Sequence, residues 1–334
     1  MGSFLSTNQF PVDGRTVLIT GGSTGLGLSA ARQLARKGAN VVIVARTASK
    51  LQDGIEQMKK DARSPDQRFH HITANVTTAA ECSRVVAETS AWNADKPPDI
   101  VWCCSGSAHP RLFIDTPVNQ FQTMMDSNYF SCVYMAHAVL NAWLRPPPTT
   151  PHSGGPARHL IFTGSFVSFF SFAGFTPYSP SKAAIRSLSD SLSQEMNLYA
   201  GANPNVPRVK VHTVFPATMP TQSLEDENKV KTDLTKSLEE GDQILTPDEC
   251  ARRAIAGLES GEELVATSTI IRLVMTSVMG GSIRGGFFRG LVNTLIGWVV
   301  MVVMVFIRRD MDSKVWKWGQ RYGASGMVSA EKKE

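Results

Sequence analysis

The chain has 334 residues, 42% of them hydrophobic and 19% charged, enough for one large α/β domain with an appendage and too apolar for a disordered tail-like chain. Its 34 basic and 29 acidic residues leave a net charge of +5, but the basic residues are dispersed and no aromatic-interleaved basic patch occurs, so nucleic acid is not expected as a partner. The five cysteines, at 82, 103, 104, 132 and 250, show no C-x-x-C spacing and the seven histidines no ligand pair at helical spacing, so reduced thiols and no metal site are expected.

Taken in order, residues 1–14 read as an N-terminal extension. They lack the apolar centre of a secretory leader, and Met1-Gly2-Ser3-Phe4-Leu5-Ser6 fits the N-myristoylation pattern, a motif short enough to arise by chance. From residue 15 to about 215, apolar runs at 17–20, 41–44, 69–73, 100–104, 160–163 and 209–214 alternate with helical stretches near 26–37, 47–61, 79–92, 117–144 and 177–199. That alternation predicts a doubly wound parallel sheet of the Rossmann type. Residues 146–156 read as an exposed Pro/Gly-rich loop, and the charged stretch 222–240 occupies the place of a mobile lid.

The first run ends in Thr20-Gly21-Gly22-Ser23-Thr24-Gly25-Leu26-Gly27, a strand, a glycine turn and a helix start. Gly21, Gly25 and Gly27 tighten the turn and let backbone N–H groups approach a pyrophosphate at the helix N-terminus. Ser23, Thr24 and Leu26 complete the turn. Gly21-Gly22-Ser23-Thr24-Gly25 also fits the G-x-S-x-G nucleophile elbow, but the elbow needs an oxyanion-hole N–H from an earlier strand loop, and too little chain precedes Ser23. At the end of the second run an acidic residue would accept from a ribose 2′-OH; Ala45 stands there, followed by Arg46 with Lys50 a turn later. These cations suit a 2′-phosphate, so NADPH is expected over NADH, and reduction over oxidation.

The second informative stretch runs from the strand end Thr163-Gly164-Ser165 to Tyr178-Ser179-Pro180-Ser181-Lys182. Tyr178 and Lys182, four apart, share a helix face. An ammonium beside a phenol is expected to bring its pKa down toward working pH, which makes Tyr178 a candidate general acid, while Ser165 is placed to hold a substrate carbonyl.

The glycine motif, the strand-end serine and Tyr-x-x-x-Lys together resemble the short-chain dehydrogenase/reductase family over about residues 13–260. In that family the motif Thr-Gly-x-x-x-Gly-x-Gly corresponds to Thr20, Gly21, Gly25 and Gly27, the serine precedes the tyrosine by thirteen as Ser165 precedes Tyr178, and an asparagine of the long central helix corresponds to Asn128. The resemblance implies that Lys182 also holds the nicotinamide ribose and that Asn128 supports a water linking the lysine to solvent. The family's Asn-Asn-Ala-Gly is Cys103-Cys104-Ser105-Gly106 here, its adenine-contacting aspartate is Asn75, and its Pro-Gly after the sixth strand is Pro216-Ala217. Within the family, Val44-Ala45-Arg46, the approach 174–179, Glu227-Asn228-Lys229 and the apolar C-terminus look like the 3-ketodihydrosphingosine reductases. The implied activity is NADPH-dependent reduction of a long-chain lipid ketone, 3-dehydrosphinganine, in sphingolipid synthesis, at the cytosolic face of the endoplasmic reticulum membrane. A membrane reductase of steroid or retinoid carbonyls would share every catalytic residue, and a non-catalytic NADPH-binding scaffold is the different-class rival. Phe166, Phe169, Phe170, Phe172 and Phe175 are read either as a wall for the alkyl chain or as ordinary core.

The Rossmann domain is expected over 15–262, a membrane-associated apolar region over 263–310 and a basic cytosolic tail over 311–334. Residues 291–307 carry no charge over nearly the length of a membrane span, with Arg308 and Arg309 following and Trp316, Trp318 and Tyr322 as interface anchors. Residues 264–283 form a weaker apolar segment interrupted by Arg272, with a glycine turn at 280–286 that would make the two a hairpin. A homo-oligomer is admitted by the sequence and not dictated by it.

Overall fold

The computed structural model describes residues 8–145, 155–278, 286–323 and 326–328. The myristoylation pattern, nearly all of the 146–156 loop and the 280–286 turn up to Gly286 lie outside them.

In chain order the elements are β1 (Thr16–Thr20), α1 (Gly25–Arg36), β2 (Asn40–Ala45), α2 (Ala48–Asp61), β3 (Phe69–Thr73), α3 (Ala79–Trp92) and β4 (Ile100–Cys103). There follow α4 (Val118–Met124), a π-helical turn (Met125–Phe130), α5 (Ser131–Leu144), β5 (Arg158–Thr163), α6 (Ser179–Ala202) and β6 (Val209–Phe215). The chain continues with α7 (Gln222–Val230), α8 (Asp233–Leu238), α9 (Pro247–Glu259), β7 (Leu264–Ala266), α10 (Thr269–Ser277) and α11 (Phe287–Tyr322). The strands form one parallel sheet in the order β3-β2-β1-β4-β5-β6-β7. β1 is central: Val17 pairs with Val41 on one side and Ile100 on the other, so the winding reverses between β1 and β4. In such sheets ligands bind beyond the carboxyl ends of the strands at that reversal.

The strands are apolar on both faces because helices cover both. Val17, Ile19, Val41, Ile43 and Ile161 pack with buried residues of α1, α2 and α9. Leu18, Val42, Val101, Leu160 and Phe162 pack with those of α3, α5 and α6. The sheet thereby becomes a rigid platform whose upper edge carries Thr20, Cys103, Thr163 and Phe215.

Two expectations are corrected. The helix expected at 117–144 is interrupted by the π turn, which carries Asn128. The segment 264–283, expected at the membrane, begins with β7, which is buried and pairs in parallel with β6 through Thr213, Val214 and Phe215. It goes on to α10, which buries Ile271, Val274 and Met275. A short apolar run reads the same for a buried strand as for a lipid-facing segment, and here β6 supplies the backbone partners. The sheet therefore continues beyond residue 262, and Arg272 stays at the surface, paired with both carboxylate oxygens of Glu262 at 3.0 and 3.1 Å. The lid stretch 222–240 forms α7 and α8. α11 runs 36 residues, through the stretch expected as a tail. Its apolar window is only 11% buried, so it is no core helix.

Candidate active site

β1 delivers the chain to the glycine turn. Gly21 sits at φ +67°, and a Cβ there would stand 2.8 Å from the Cys104 carbonyl carbon; only glycine lets the turn lie this close to the end of β4. Thr24 enters α1 with extended backbone and no side-chain cap bond, and no acidic residue occupies the first turn of α1. The first N–H groups and the positive end of the helix dipole are thus directed at a space that a phosphate fits. Ser23, Gly25, Leu26 and Gly27 surround the same helix start. Arg46 and Lys50, at the end of β2 and in the first turn of α2, are exposed on the rim of this cleft. The oxygen of Asn75, as the amide is assigned, accepts from Thr77 N–H at 3.3 Å and from its hydroxyl at 3.0 Å. That leaves its NH2 as the group that would meet an adenine acceptor.

The four proposed catalytic residues come from three elements around the ends of β4 and β5. Asn128 is fully buried. Its Nδ2 donates to Ser107 O and Met124 O, both at 2.9 Å, and its Oδ1 accepts from Ser107 N–H at 3.2 Å. The π turn aims this side chain out of the helix and toward the strand ends, a common use of such turns. Gly106 lies between Asn128 and Lys182: a Cβ on it would fall 2.5 Å from Asn128 Oδ1 and 3.6 Å from Lys182 Nζ. Lys182, buried on α6, donates to Thr163 O at 2.9 Å and lies 5.7 Å from the Tyr178 ring centroid. Ser165, directly after β5, is fixed by a reciprocal pair of bonds with Ser168 and hydrogen-bonds the Tyr178 phenol. The structure thus brings Asn128, Ser165, Tyr178 and Lys182 into one cluster facing the glycine turn.

The electrostatics differ from expectation in one respect. Burial pushes the Tyr178 phenol above its ordinary value, the nearby Glu227 carboxylate adds to this, and the Ser165 hydrogen bond opposes it. The Lys182 ammonium donates to the Thr163 carbonyl and lies 5.7 Å from the phenol ring. Burial itself pulls Lys182 below its ordinary value, against the Cys132 and Cys104 thiols. The proton therefore stays on Tyr178, the form from which a general acid starts.

Other positions carry the departures from the family pattern. The Cys104 sulfur accepts from the Thr163 hydroxyl at 3.6 Å, which in turn accepts from Trp102 Nε1 at 3.2 Å. Pro216-Ala217 is anchored by Ala217 N–H donating to Thr267 Oγ1 at 2.8 Å. Of the phenylalanines, Phe175 is buried and Phe166 and Phe169 are partly buried against the core, while Phe172 stands edge-on to Phe175 at 5.0 Å and Phe175 lies 6.1 Å from Tyr178. Sequence reasoning missed Thr163, Ser107 and Thr267, which act through backbone groups or from distant strands. It noted Glu227 only as part of a motif.

With this geometry in place, the comparisons are specific. Residues 15–232 match the family described as short chain dehydrogenase, and the chain belongs to that family. It is 44% identical over 331 residues to the 3-ketodihydrosphingosine reductase ksrA of Aspergillus fumigatus, covering 97% of this chain and 89% of that one. It is 32% identical over 312 residues to the 3-ketodihydrosphingosine reductase TSC10 of Cryptococcus neoformans, covering 93% and 87%. Among solved structures, a short-chain type dehydrogenase/reductase from Mycobacterium ulcerans superposes with TM-score 0.62 at 19% identity, over 77% of this chain and 89% of that one. That last likeness supports the fold alone.

Proposed function

We propose that the protein reduces the ketone of 3-dehydrosphinganine to sphinganine with NADPH, at the cytosolic face of the endoplasmic reticulum membrane. The observation that most supports this reading is the clustering of Asn128, Ser165, Tyr178 and Lys182 opposite the glycine turn, in a chain similar over nearly its whole length to reductases named for this substrate.

The residues present fit the cofactor. Gly21, Ser23, Thr24, Gly25, Leu26 and Gly27 would hold the pyrophosphate, Arg46 and Lys50 the 2′-phosphate, Asn75 the adenine, and Gly106, Tyr178 and Lys182 the nicotinamide end. When bound, the nicotinamide supplies hydride to the ketone carbon. The Ser165 hydroxyl orients the carbonyl oxygen by a hydrogen bond, and Tyr178 delivers its proton to that oxygen as negative charge develops there. The Lys182 ammonium stabilises the phenolate left behind, and Asn128 keeps the central helix and Ser107 in register beside it. Phe172, packed edge-on against the buried Phe175, offers apolar surface near Tyr178 for the start of the alkyl chain, and the exposed apolar face of α11 brings the domain to the bilayer in which such a substrate is dissolved.

The test is NADPH oxidation by the full-length protein in lipid–detergent micelles. Turnover with 3-dehydrosphinganine and little with a steroid or retinoid carbonyl is expected. The reverse preference would assign the protein to the other substrate class, and no substrate-dependent oxidation would leave a cofactor-binding scaffold.

A further inference from the structure

The motif Glu227-Asn228-Lys229 lies on α7, and the structure gives its first residue a position that the reaction chemistry above does not use. α7 bridges the site. At its start, the methyl of Thr221 stands 3.5 Å from where a Cβ on Gly25 would lie, so this end rests on the cofactor turn. Its half-buried positions Leu224, Glu227 and Val230 recur every three residues and define the face toward the domain. At the far end, Lys231 Nζ, with a side chain only 2% exposed, is held by Glu227 at 2.8 Å and Glu239 at 2.6 Å, and lies 5.6 Å from the Phe175 ring centroid. Phe175 in turn neighbours Tyr178. α8 pins this arrangement: the Thr235 hydroxyl donates to Ala173 O at 3.3 Å. Glu227 is thus linked to the catalytic tyrosine by contacts running through Lys231 and Phe175.

Resting on the substrate reading above, we infer that Glu227 is a specificity-determining residue that binds the substrate ammonium group. In 3-dehydrosphinganine the amino-bearing carbon is bonded directly to the carbonyl carbon. A ketone oxygen held by Ser165 and Tyr178 therefore fixes the ammonium within two bonds of the reacting centre, in the neighbourhood Glu227 occupies. The carboxylate already accommodates one ammonium, that of Lys231, and Glu239 keeps Lys231 paired when Glu227 turns to a second cation. Steroid and retinoid carbonyls bring no such cation and would gain no charge-assisted bond from Glu227, which would stay on Lys231.

The experiment compares 3-dehydrosphinganine with its deamino analogue, 1-hydroxyoctadecan-3-one, in wild type, Glu227→Gln and Glu227→Asp. Wild type is expected to favour the amino ketone. Glu227→Gln should lower kcat/KM for the amino ketone about 10- to 100-fold more than for the deamino ketone, mostly through KM, since the charge-assisted bond is lost only from the former while the change in the proton affinity of Tyr178 falls on both alike. Glu227→Asp should keep the preference. Equal loss on both ketones in Glu227→Gln would show a lid-packing role and overturn the inference, as would a wild type indifferent to the amine. Wild type that reduces the deamino ketone or a steroid but never 3-dehydrosphinganine would overturn the substrate reading itself, a result distinct from either.

Discussion

At the scale of single residues, the site assigns each side chain a separable effect. Tyr178→Phe removes the transferable proton and little of the shape, so turnover should fall by 10² or more while NADPH binding, followed by fluorescence titration, stays within about threefold. Retention of more than about a tenth of wild-type turnover would remove Tyr178 from the general-acid role. Arg46→Ala should weaken NADPH about 10- to 100-fold and NADH hardly at all, because only NADPH carries the 2′-phosphate whose charge-assisted bond is lost. Ala45→Asp should shift the preference further toward NADH, and equal losses for both cofactors would place the phosphate elsewhere. These residues were legible in the sequence because their spacing is local: Tyr178 and Lys182 share a helix face whatever the rest of the chain does. The raised affinity of Tyr178 for its proton was not legible. It follows from burial and from Glu227, brought in from a helix about fifty residues downstream.

At the scale of elements, the π turn and the β5–β6 pair are the informative cases. Asn128→Ala would leave the carbonyls of Ser107 and Met124 without their buried donor, and should cost about 2–3 kcal/mol in a urea unfolding series as well as activity. A cost under about 0.5 kcal/mol would mean that the turn does not depend on it. β5 and β6 place His159 against His212, with Nδ1 and Nε2 3.0 Å apart, and burial together with the His212 charge holds His159 down to about 2. Its folded value lies below its unfolded value near 6.5, so the unfolded chain binds the extra proton. Stability is then fully present above about pH 6.5 and declines as pH falls from there toward about 2, by up to about 1.4 kcal/mol per unit from this one group. Melting temperatures from pH 7.5 to 4.5 should fall, and His159→Leu should flatten that slope; an unchanged slope would exclude His159 as its source. Of the elements, the strands and helices that alternate were readable from periodicity. The π turn has no periodic signature, and β7 was hidden because three apolar residues followed by an amphipathic helix look like a longer apolar segment until β6 is there to pair with them.

At the scale of the whole molecule, the question is how α11 meets the membrane. Its apolar half, about 20 residues at 1.5 Å each, matches the roughly 30 Å of a hydrocarbon core, and a single crossing would send Arg308, Arg309, Lys314, Lys317 and Arg321 to the lumen, against the positive-inside tendency. Two observations oppose the crossing. The less exposed residues of α11 are 290, 293, 294, 297, 300, 304, 311, 313, 315, 318 and 322, all but 313 on one stripe running along the apolar and the basic halves alike. A rod standing free in lipid shows no such stripe in its own domain's structure; a helix laid lengthwise along its domain does. Beyond its end, Gly326 O accepts from Leu234 N–H at 2.9 Å and Val328 N–H donates to Asp233 Oδ2 at 3.1 Å, so the chain after α11 touches α8 of the catalytic domain and lies on the same side of any bilayer. The hairpin drawn from sequence reaches the same orientation, but its first arm is β7 and α10, which belong to the folded domain. We therefore expect α11 to lie in the interface, with Phe287, Phe288, Trp298, Val302 and Phe306 immersed and the flanking arginines at the headgroups. A glycosylation acceptor appended after Glu334 should stay unmodified in microsomes while the protein remains in the membrane pellet at physiological salt, and Phe288→Glu with Phe306→Glu should release it. Modification of the acceptor would put the C-terminus in the lumen and break the contact between residues 326–328 and α8.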